Sequence, residues 1–191
     1  MRFSDGTSMR LYRQTMQDFG IYEGLELSND EYAKLKASAE EMSAKMRAVR
    51  IVSASSISKK ELEYRLVQKG ENPEQAHNAV AWMQELQLID DAQTASQIVL
   101  RCIGKGYGIA RAKQALYEKK IPKSYWADAL AGYPDQSEYI VDFLTNKVND
   151  FNDRNAVKKA VDALIRRGHT YSAIRVALEQ LRVDTEEFPE A

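Results

Sequence analysis

The sequence predicts an all-α protein built from three tandem three-helix repeats, each resembling a helix-turn-helix, stacked into an elongated curved solenoid. Three observations predict this class. Apolar residues recur at steps of three and four along most of the 191-residue chain. Hydroxyl or amide side chains that can cap helices stand at the starts of several of these segments. Leucines at equivalent places, Leu66, Leu116 and Leu164, recur at intervals of about 50 residues.

The first repeat, predicted over 28–88, opens with a long helix over 29–53. Ser28 and Glu31 have the spacing of a capping box, in which the hydroxyl accepts a free amide and the carboxylate reaches back. The apolar stripe of this helix is predicted to consist of Tyr32, Leu35, Ala39, Met42, Met46 and Val49.

Two shorter helices complete the first repeat. Ser58 and Glu61 form a second capping box, and Gly70 is predicted to end that helix in a left-handed conformation. Asn72 is predicted to cap the third helix, with Pro73 in its first turn.

The same pattern predicts a second repeat over 89–133 and a third over 134–182, opened by helices over 91–103 and 136–149. Strand signals are scarce: only the segment 10–27, within the N-terminal segment 1–27, could form a short β-hairpin, turning near Gly20. Residues 183–191 form an acidic tail. Stacked repeats would present a long surface that suits an extended partner.

The stretch GKGYGIARAK, over 104–113, poses a choice between a phosphate cradle and a structural turn. A dinucleotide fingerprint needs Gly-x-Gly-x-x-Gly after a strand, whereas here Gly104, Gly106 and Gly108 alternate after a predicted helix. A P-loop would end in Gly-Lys-Ser/Thr, but Tyr107 follows Gly106. The glycines therefore predict a tight connector between helices, in which glycine supplies a positive φ.

Composition excludes several classes of protein. The chain has no apolar run long enough to span a membrane and no apolar core of a signal peptide. Its single cysteine, Cys102, rules out an internal disulfide, is predicted to be buried, and agrees with a reducing cytoplasm. His77 and His169 have no cysteine partners that would suggest a zinc site, and no nucleophile–base pattern appears. We expect a non-enzyme without cofactor or metal.

Charge is uneven although the net charge is −1. Residues 101–123 hold seven bases against one acid, and residues 154–175 hold six against one. Such runs indicate either a solvated helix face or a docking surface for an acidic protein or for DNA phosphates.

The segment 86–121 has a Leu-Ile-Asp-Asp junction at 88–91, a Lys-Gly-x-Gly turn at 105–108 and a basic helix running to Ile121. In these motifs it resembles the RecX regulators of the bacterial recombinase RecA. The segments SKKELEYRLVQKG and AVKKAVDALIRRGHTYSAIRVAL are similar to the first and third repeats of the family, so that the resemblance covers about residues 28–181. The chain departs from the family pattern at Thr94, Ile109 and Lys120, where an aromatic residue, a proline and a glycine are expected.

This resemblance implies a non-enzymatic modulator, an inhibitor, that lies in the groove of the RecA filament on single-stranded DNA. It would restrain ATP hydrolysis, strand exchange and filament growth, and it would act as a monomer. Residues expected to dock by charge or at turns are Lys105, Tyr107, Arg111, Lys113, Lys119, Lys120, Arg154, Lys158, Lys159, Arg166, Arg167 and Arg175. The alternatives are a helix-turn-helix-type DNA-binding module without RecA dependence and a peptide-binding solenoid.

Overall fold

The computed structural model describes residues 1–4 and 6–181, which form ten α-helices and one short 3-10 helix, Lys123–Tyr125. The helices are α1 Arg13–Asp18, α2 Asn29–Ala54, α3 Lys59–Gln68, α4 Pro73–Glu85, α5 Asp91–Gly104, α6 Ile109–Glu118, α7 Trp126–Leu130, α8 Ser137–Lys147, α9 Arg154–Arg166 and α10 Tyr171–Gln180. The predicted all-α class is confirmed. The predicted acidic tail, 183–191, lies outside the described residues.

The described chain divides into two compact units, the first being Met1–Asp90 and the second beginning at Asp91. In the first unit, α2 packs against α3 and α4 around an apolar cluster that includes Leu62, Leu66 and Met83. The second unit holds two separate clusters, one within α5–α7 and one within α8–α10. The helices are thus grouped in threes, each group with its own core. The solenoid arrangement and the repeat boundaries stay predictions.

Local signals set most helix starts in the first unit. The capping box of α2 is complete, since Glu31 N donates to Ser28 Oγ at 3.3 Å and Ser28 N donates to Glu31 Oε2 at 2.9 Å. Ser58 Oγ accepts from Glu61 N at 3.1 Å, and Asn72 Oδ1 accepts from Glu74 N at 2.9 Å. These bonds satisfy amides that have no partner within the helix.

The second helix of each group ends in the same way. A leucine carbonyl near the helix end accepts from the amide five residues later, the bond of a Schellman motif. The pairs are Glu71 N to Leu66 O at 3.1 Å, Ile121 N to Leu116 O at 3.0 Å and His169 N to Leu164 O at 3.1 Å. All three leucines have no exposed surface, and the three residues after the turns are buried as well. The spacing of these leucines in the sequence therefore marks equivalent structural positions.

The predicted apolar stripe of α2 is correct at Leu35, Ala39 and Val49, which packs against the core, and wrong at Met46. Leu35 and Ala39 are buried as expected, but Met46 is 37% exposed. Ala44 and Ala48, which have no exposed surface, occupy the core instead. Because small side chains let two helix backbones approach closely, alanines can hold this contact against α3 and α4.

The hairpin predicted over 10–27 is wrong, because part of that segment forms α1, which packs on α2. Gly20, the predicted hairpin turn, has φ +57° and ends this helix: Gly20 N donates to Gln17 O and Ile21 N to Met16 O. A left-handed glycine serves a helix end as well as a strand turn, so the residue alone could not decide between them. An antiparallel bridge does join Arg2 and Ser8.

Candidate functional site

The α5–α6 turn, residues 105–108, is the structural connector that the sequence predicts. Gly106 has φ +62°, its amide donates to Ile103 O at 2.9 Å, and Tyr107 N donates to Cys102 O at 3.0 Å. The residues before the turn are helical, so the strand of a dinucleotide fingerprint is replaced by α5. Cys102 is 6% exposed, and its burial raises the pKa of the thiol, which agrees with a core residue.

This turn contacts the turn between α9 and α10 within the second unit. Gly108 N donates to Arg167 O at 2.9 Å, and a Cβ on Gly108 would overlap the carbonyl of Gly168. A Cβ on Gly168 would in turn overlap the amide nitrogen of Arg111, and one on Gly106 would overlap the ring of Tyr139. Two glycines, Gly108 and Gly168, therefore let two backbones touch, and Gly106 makes room for the ring of Tyr139. We call this turn-on-turn contact the joint: residues 105–108 against 167–169, with Tyr139.

Arg167, a predicted docking residue, lies half-buried inside the joint. Its guanidinium donates to Tyr139 Oη at 2.6 Å and to Lys105 O at 3.4 Å. It also lies 5.0 Å from the centre of the Phe143 ring and 5.9 Å from that of Tyr107. These contacts give Arg167 a structural role between the second and third groups of helices. A role in partner binding stays a prediction.

Tyr107, predicted as a contact residue at the turn, is half-buried. Its ring faces Arg167, and its carbonyl accepts from Tyr133 Oη at 2.6 Å. Burial raises the pKa of Tyr133 to about 12. Tyr133 thereby ties the chain after α7 to the joint.

The predicted bases of the second group differ in their surroundings. Lys105 and Lys113 are exposed, whereas Arg111 is half-buried and pairs with Glu118 at 3.1 Å. Hydrogen bonds from Gln114 and Arg111 hold the pKa of the Glu118 carboxyl below its usual range. Lys119 and Lys120 lie at the end of α6, where Lys120 adopts a left-handed φ of +54°. Part of this positive charge is therefore compensated within α6.

The predicted bases of the third group lie mainly on α9. The buried side of α9 carries Val157, Val161 and Leu164. Its exposed side carries Arg154, Lys158, Lys159 and Arg166. Arg175, on α10, is exposed and pairs with Glu179 at 3.1 Å. The structure thus brings four predicted bases onto one helix, which we call the basic face of α9.

Sequence reasoning missed the joint. It identified the glycines as turn formers but assigned no role to His169 or Tyr139. His169 is 6% exposed, and its Nε2 lies 3.0 Å from the carbonyl oxygen of Gly106. A contact between residues 63 positions apart leaves no local periodicity in the sequence.

Chemistry-bearing clusters are scarce in the described part of the chain. No group of three or more His, Cys, Asp or Glu side chains there could hold a metal ion. A groove in the first unit is lined by Arg10, Tyr32, Lys36, Glu40 and Glu71, among others, with no histidine or cysteine in its lining. No helix among residues 1–4 and 6–181 is long and apolar enough to cross a membrane.

Comparison with known proteins gives a consistent result. No family model matches the chain. The regulatory protein RecX of Vibrio vulnificus (strain CMCP6) is 29% identical over 140 residues, which is 72% of this chain and 92% of that protein. A crystal structure of a regulatory protein RecX superposes with a TM-score of 0.67 at 20% identity, covering 88% of this chain and 86% of the other. RecX from Lactobacillus salivarius gives 0.66 at 22% identity, covering 77% and 99%. The chain is thus similar in sequence to a RecX regulatory protein and has the fold of RecX crystal structures, which confirms the resemblance to the RecX family that its motifs predicted.

Proposed function

We propose that this chain is a non-enzymatic modulator of the recombinase RecA. It binds as a monomer in the groove of the RecA filament on single-stranded DNA. There it inhibits ATP hydrolysis, strand exchange and filament growth during recombination and DNA repair. The similarity to RecX regulatory proteins supports a regulator of this type.

The observation that carries the proposal is the basic face of α9. Arg154, Lys158, Lys159 and Arg166 are all exposed on α9, whose own exposed acid is Asp162, with Asp153 capping the start of the helix. Exposed cations on one rigid helix attract an acidic protein surface or DNA phosphates and speed the encounter. The joint attaches α9 to the turn before α6, so that Lys105 and Lys113 belong to the same compact unit.

A filament offers the same contacts on each successive protomer. A regulator that touches two neighbours gains from effective concentration, because the second contact forms without a new encounter. Because of such bridging, the regulator would bind the assembled filament more tightly than a free RecA monomer. Fewer than one regulator per protomer would then be enough for inhibition. Inhibition at substoichiometric amounts is therefore the expected behaviour.

The test is the ATPase rate of RecA on single-stranded DNA, with the protein titrated in. We expect the rate to fall at substoichiometric protein. The variant Lys113→Glu/Lys158→Glu/Lys159→Glu should need at least about tenfold more protein for the same effect. The matched control, Lys34→Glu/Lys36→Glu/Lys60→Glu, makes the same change of charge in the first unit and should behave like the unmodified protein.

Two outcomes would contradict the proposal. An unchanged ATPase rate with folded protein would remove the recombinase as partner. Tight binding to naked DNA without recombinase would favour a helix-turn-helix-type DNA-binding module instead. In that case affinity would fall steeply with salt, by about 0.7–0.9 in log–log slope for each phosphate contact.

A further inference from the structure

The ring of His169 forms a side-chain bridge across the joint, beside the one from Arg167 to Lys105 O. Its Nε2 lies 3.0 Å from Gly106 O, and because a carbonyl oxygen only accepts, Nε2 carries a proton and donates. In the neutral ring the second nitrogen, Nδ1, is then unprotonated. The ring also stacks on Tyr139, with centroids 5.7 Å apart and planes 17° apart.

The charged groups around His169 are mostly cations. Arg167 lies beside it at the end of α9 and donates to Tyr139 Oη on α8. Lys105 and Tyr107 belong to the facing turn, and Arg111, whose backbone packs on Gly168, pairs with Glu118 on the surface of α6. Within residues 1–4 and 6–181, no carboxylate forms an ion pair with His169. The carbonyl oxygen of Gly106 is thus the group against the ring that favours a positive charge, and the nearest charged side chain, Arg167, opposes it.

The joint depends on polar contacts rather than on a shared core. The apolar clusters of α5–α7 and α8–α10 are separate. What connects the two groups at the joint is the bond of Gly108 N to Arg167 O, the close approach of the glycines, and the cluster of His169, Tyr139 and Arg167. Changing the charge of one member therefore acts directly on the polar contacts of the joint.

We propose that His169 is a pH-sensitive latch: the neutral imidazole holds the joint closed, and a second proton, taken from water onto Nδ1, loosens it. The joint fixes α6 relative to α9. When the joint loosens, the distance between the bases of α6 and the basic face of α9 is no longer fixed, while each group of three helices stays folded.

The direction of the effect follows from the surroundings of the ring. Burial lowers the pKa of His169 below its ordinary value of 6.5, the positive charge of Arg167 lowers it further, and the carbonyl of Gly106 partly offsets both. The folded state thus favours the neutral ring. Its stabilising contribution is complete above pH 6.5 and is lost as the pH falls below that value.

Nuclear magnetic resonance on the unmodified protein tests the latch. The His169 ring should titrate below 6.5, and the protection of the Gly108 amide against hydrogen exchange, corrected for intrinsic rate, should fall by about threefold or more between pH 7.5 and 5.0. The amide of Leu116, inside α6, should keep its protection. A ring that titrates at or above 6.5, or a Gly108 amide whose protection does not change, would overturn the proposal.

The variant His169→Gln separates charge from shape, since its amide can still donate to Gly106 O but cannot titrate. Its Gly108 amide should stay protected across the same pH range. His77→Gln is the matched control, because His77 is exposed and pairs with Glu63 at 3.4 Å, and it should keep the pH response of the unmodified protein. The same pH response in His169→Gln would overturn the latch. If that variant does not fold, the His169 titration and the Gly108 amide protection of the unmodified protein still test the proposal. No recombinase is used, so the result is independent of the proposed function.

Discussion

The amide of Gly108 donates to the carbonyl oxygen of Arg167 at 2.9 Å, across 59 positions of the chain (167 − 108). The bond forms because Gly108 has no side chain, and a Cβ there would overlap the carbonyl of Gly168. Gly108 has φ −75°, an ordinary value for any residue. The requirement for glycine at this position is therefore one of space between two turns, not of backbone conformation.

Replacing Gly108 by alanine should open the joint. The added methyl group must displace backbone, and overpacking of this kind typically costs about 1–3 kcal/mol. Chemical denaturation measures the loss in free energy of unfolding. Gly104→Ala is the matched control, since nothing lies within 4 Å of a Cβ there and the residue ends α5. Equal stability of the two variants would contradict the role of Gly108.

Lys120→Gly should stabilise the protein. Lys120 has φ +54° after α6, at a position where the family resemblance leads us to expect glycine, and a side chain in that region costs about 1 kcal/mol. We expect a gain of about that size in thermal or chemical denaturation. The reciprocal change, Gly70→Lys in the first group, should cost a similar amount, because Gly70 has φ +87° and open space around it. A loss of stability in Lys120→Gly would show that the lysine side chain makes contacts worth more than the strain.

Leu116→Ala should destabilise far more than Tyr117→Ala. Leu116 has no exposed surface, whereas the larger Tyr117 is 68% exposed. Removing a buried leucine loses its transfer energy and leaves a cavity, at a cost of about 2–5 kcal/mol. The free energies of unfolding of the two variants, measured in parallel, check this. Similar values would mean that the core of α5–α7 collapses around the missing side chain.

Arg47→Ala should leave a buried carboxylate unpaired. Arg47 Nε lies 2.6 Å from Glu71 Oε1, Ser43 Oγ donates to the same oxygen at 3.0 Å, and the Glu71 side chain is 7% exposed. We expect a loss of about 2 kcal/mol, since a buried ion that loses its partner keeps its desolvation cost. Lys34→Ala breaks a surface pair with Asp30 and should show no measurable change. A double variant, Arg47→Ala/Glu71→Gln, should recover part of the loss.

Tyr133→Phe should destabilise the protein and remove a tyrosine titration whose pKa is raised. Tyr133 Oη donates to Tyr107 O at 2.6 Å, and burial raises its pKa to about 12. The neutral phenol is favoured by folding, so this contribution is present below pH 10, the ordinary pKa, and is lost as the pH rises towards 12. Ultraviolet titration of both proteins measures the difference. Tyr64→Phe, at an exposed tyrosine, is the control.

Local patterns were enough for the helices themselves. Ser28 with Glu31 predicts the start of α2, and Asn72 before Pro73 predicts the start of α4, each at the residue next to the observed start. The spacing of Leu66, Leu116 and Leu164 alone identifies three buried leucines. Local patterns are not enough where the same residue suits two different structures. Gly20 could end a helix or turn a hairpin, and the sequence prediction took the wrong one.

The sequence by itself determined the all-α class, most helix bounds and the clustering of positive charge, because caps, periodicity and charge runs are set by residues a few positions apart. Only the tertiary structure decided that Ala44 and Ala48 replace Met46 in the core, and that Arg167 and His169 belong to the joint rather than to a free surface. Both outcomes depend on which backbones approach each other. Such an approach is fixed by distant chain segments packing in three dimensions, and short-range spacing carries no record of it.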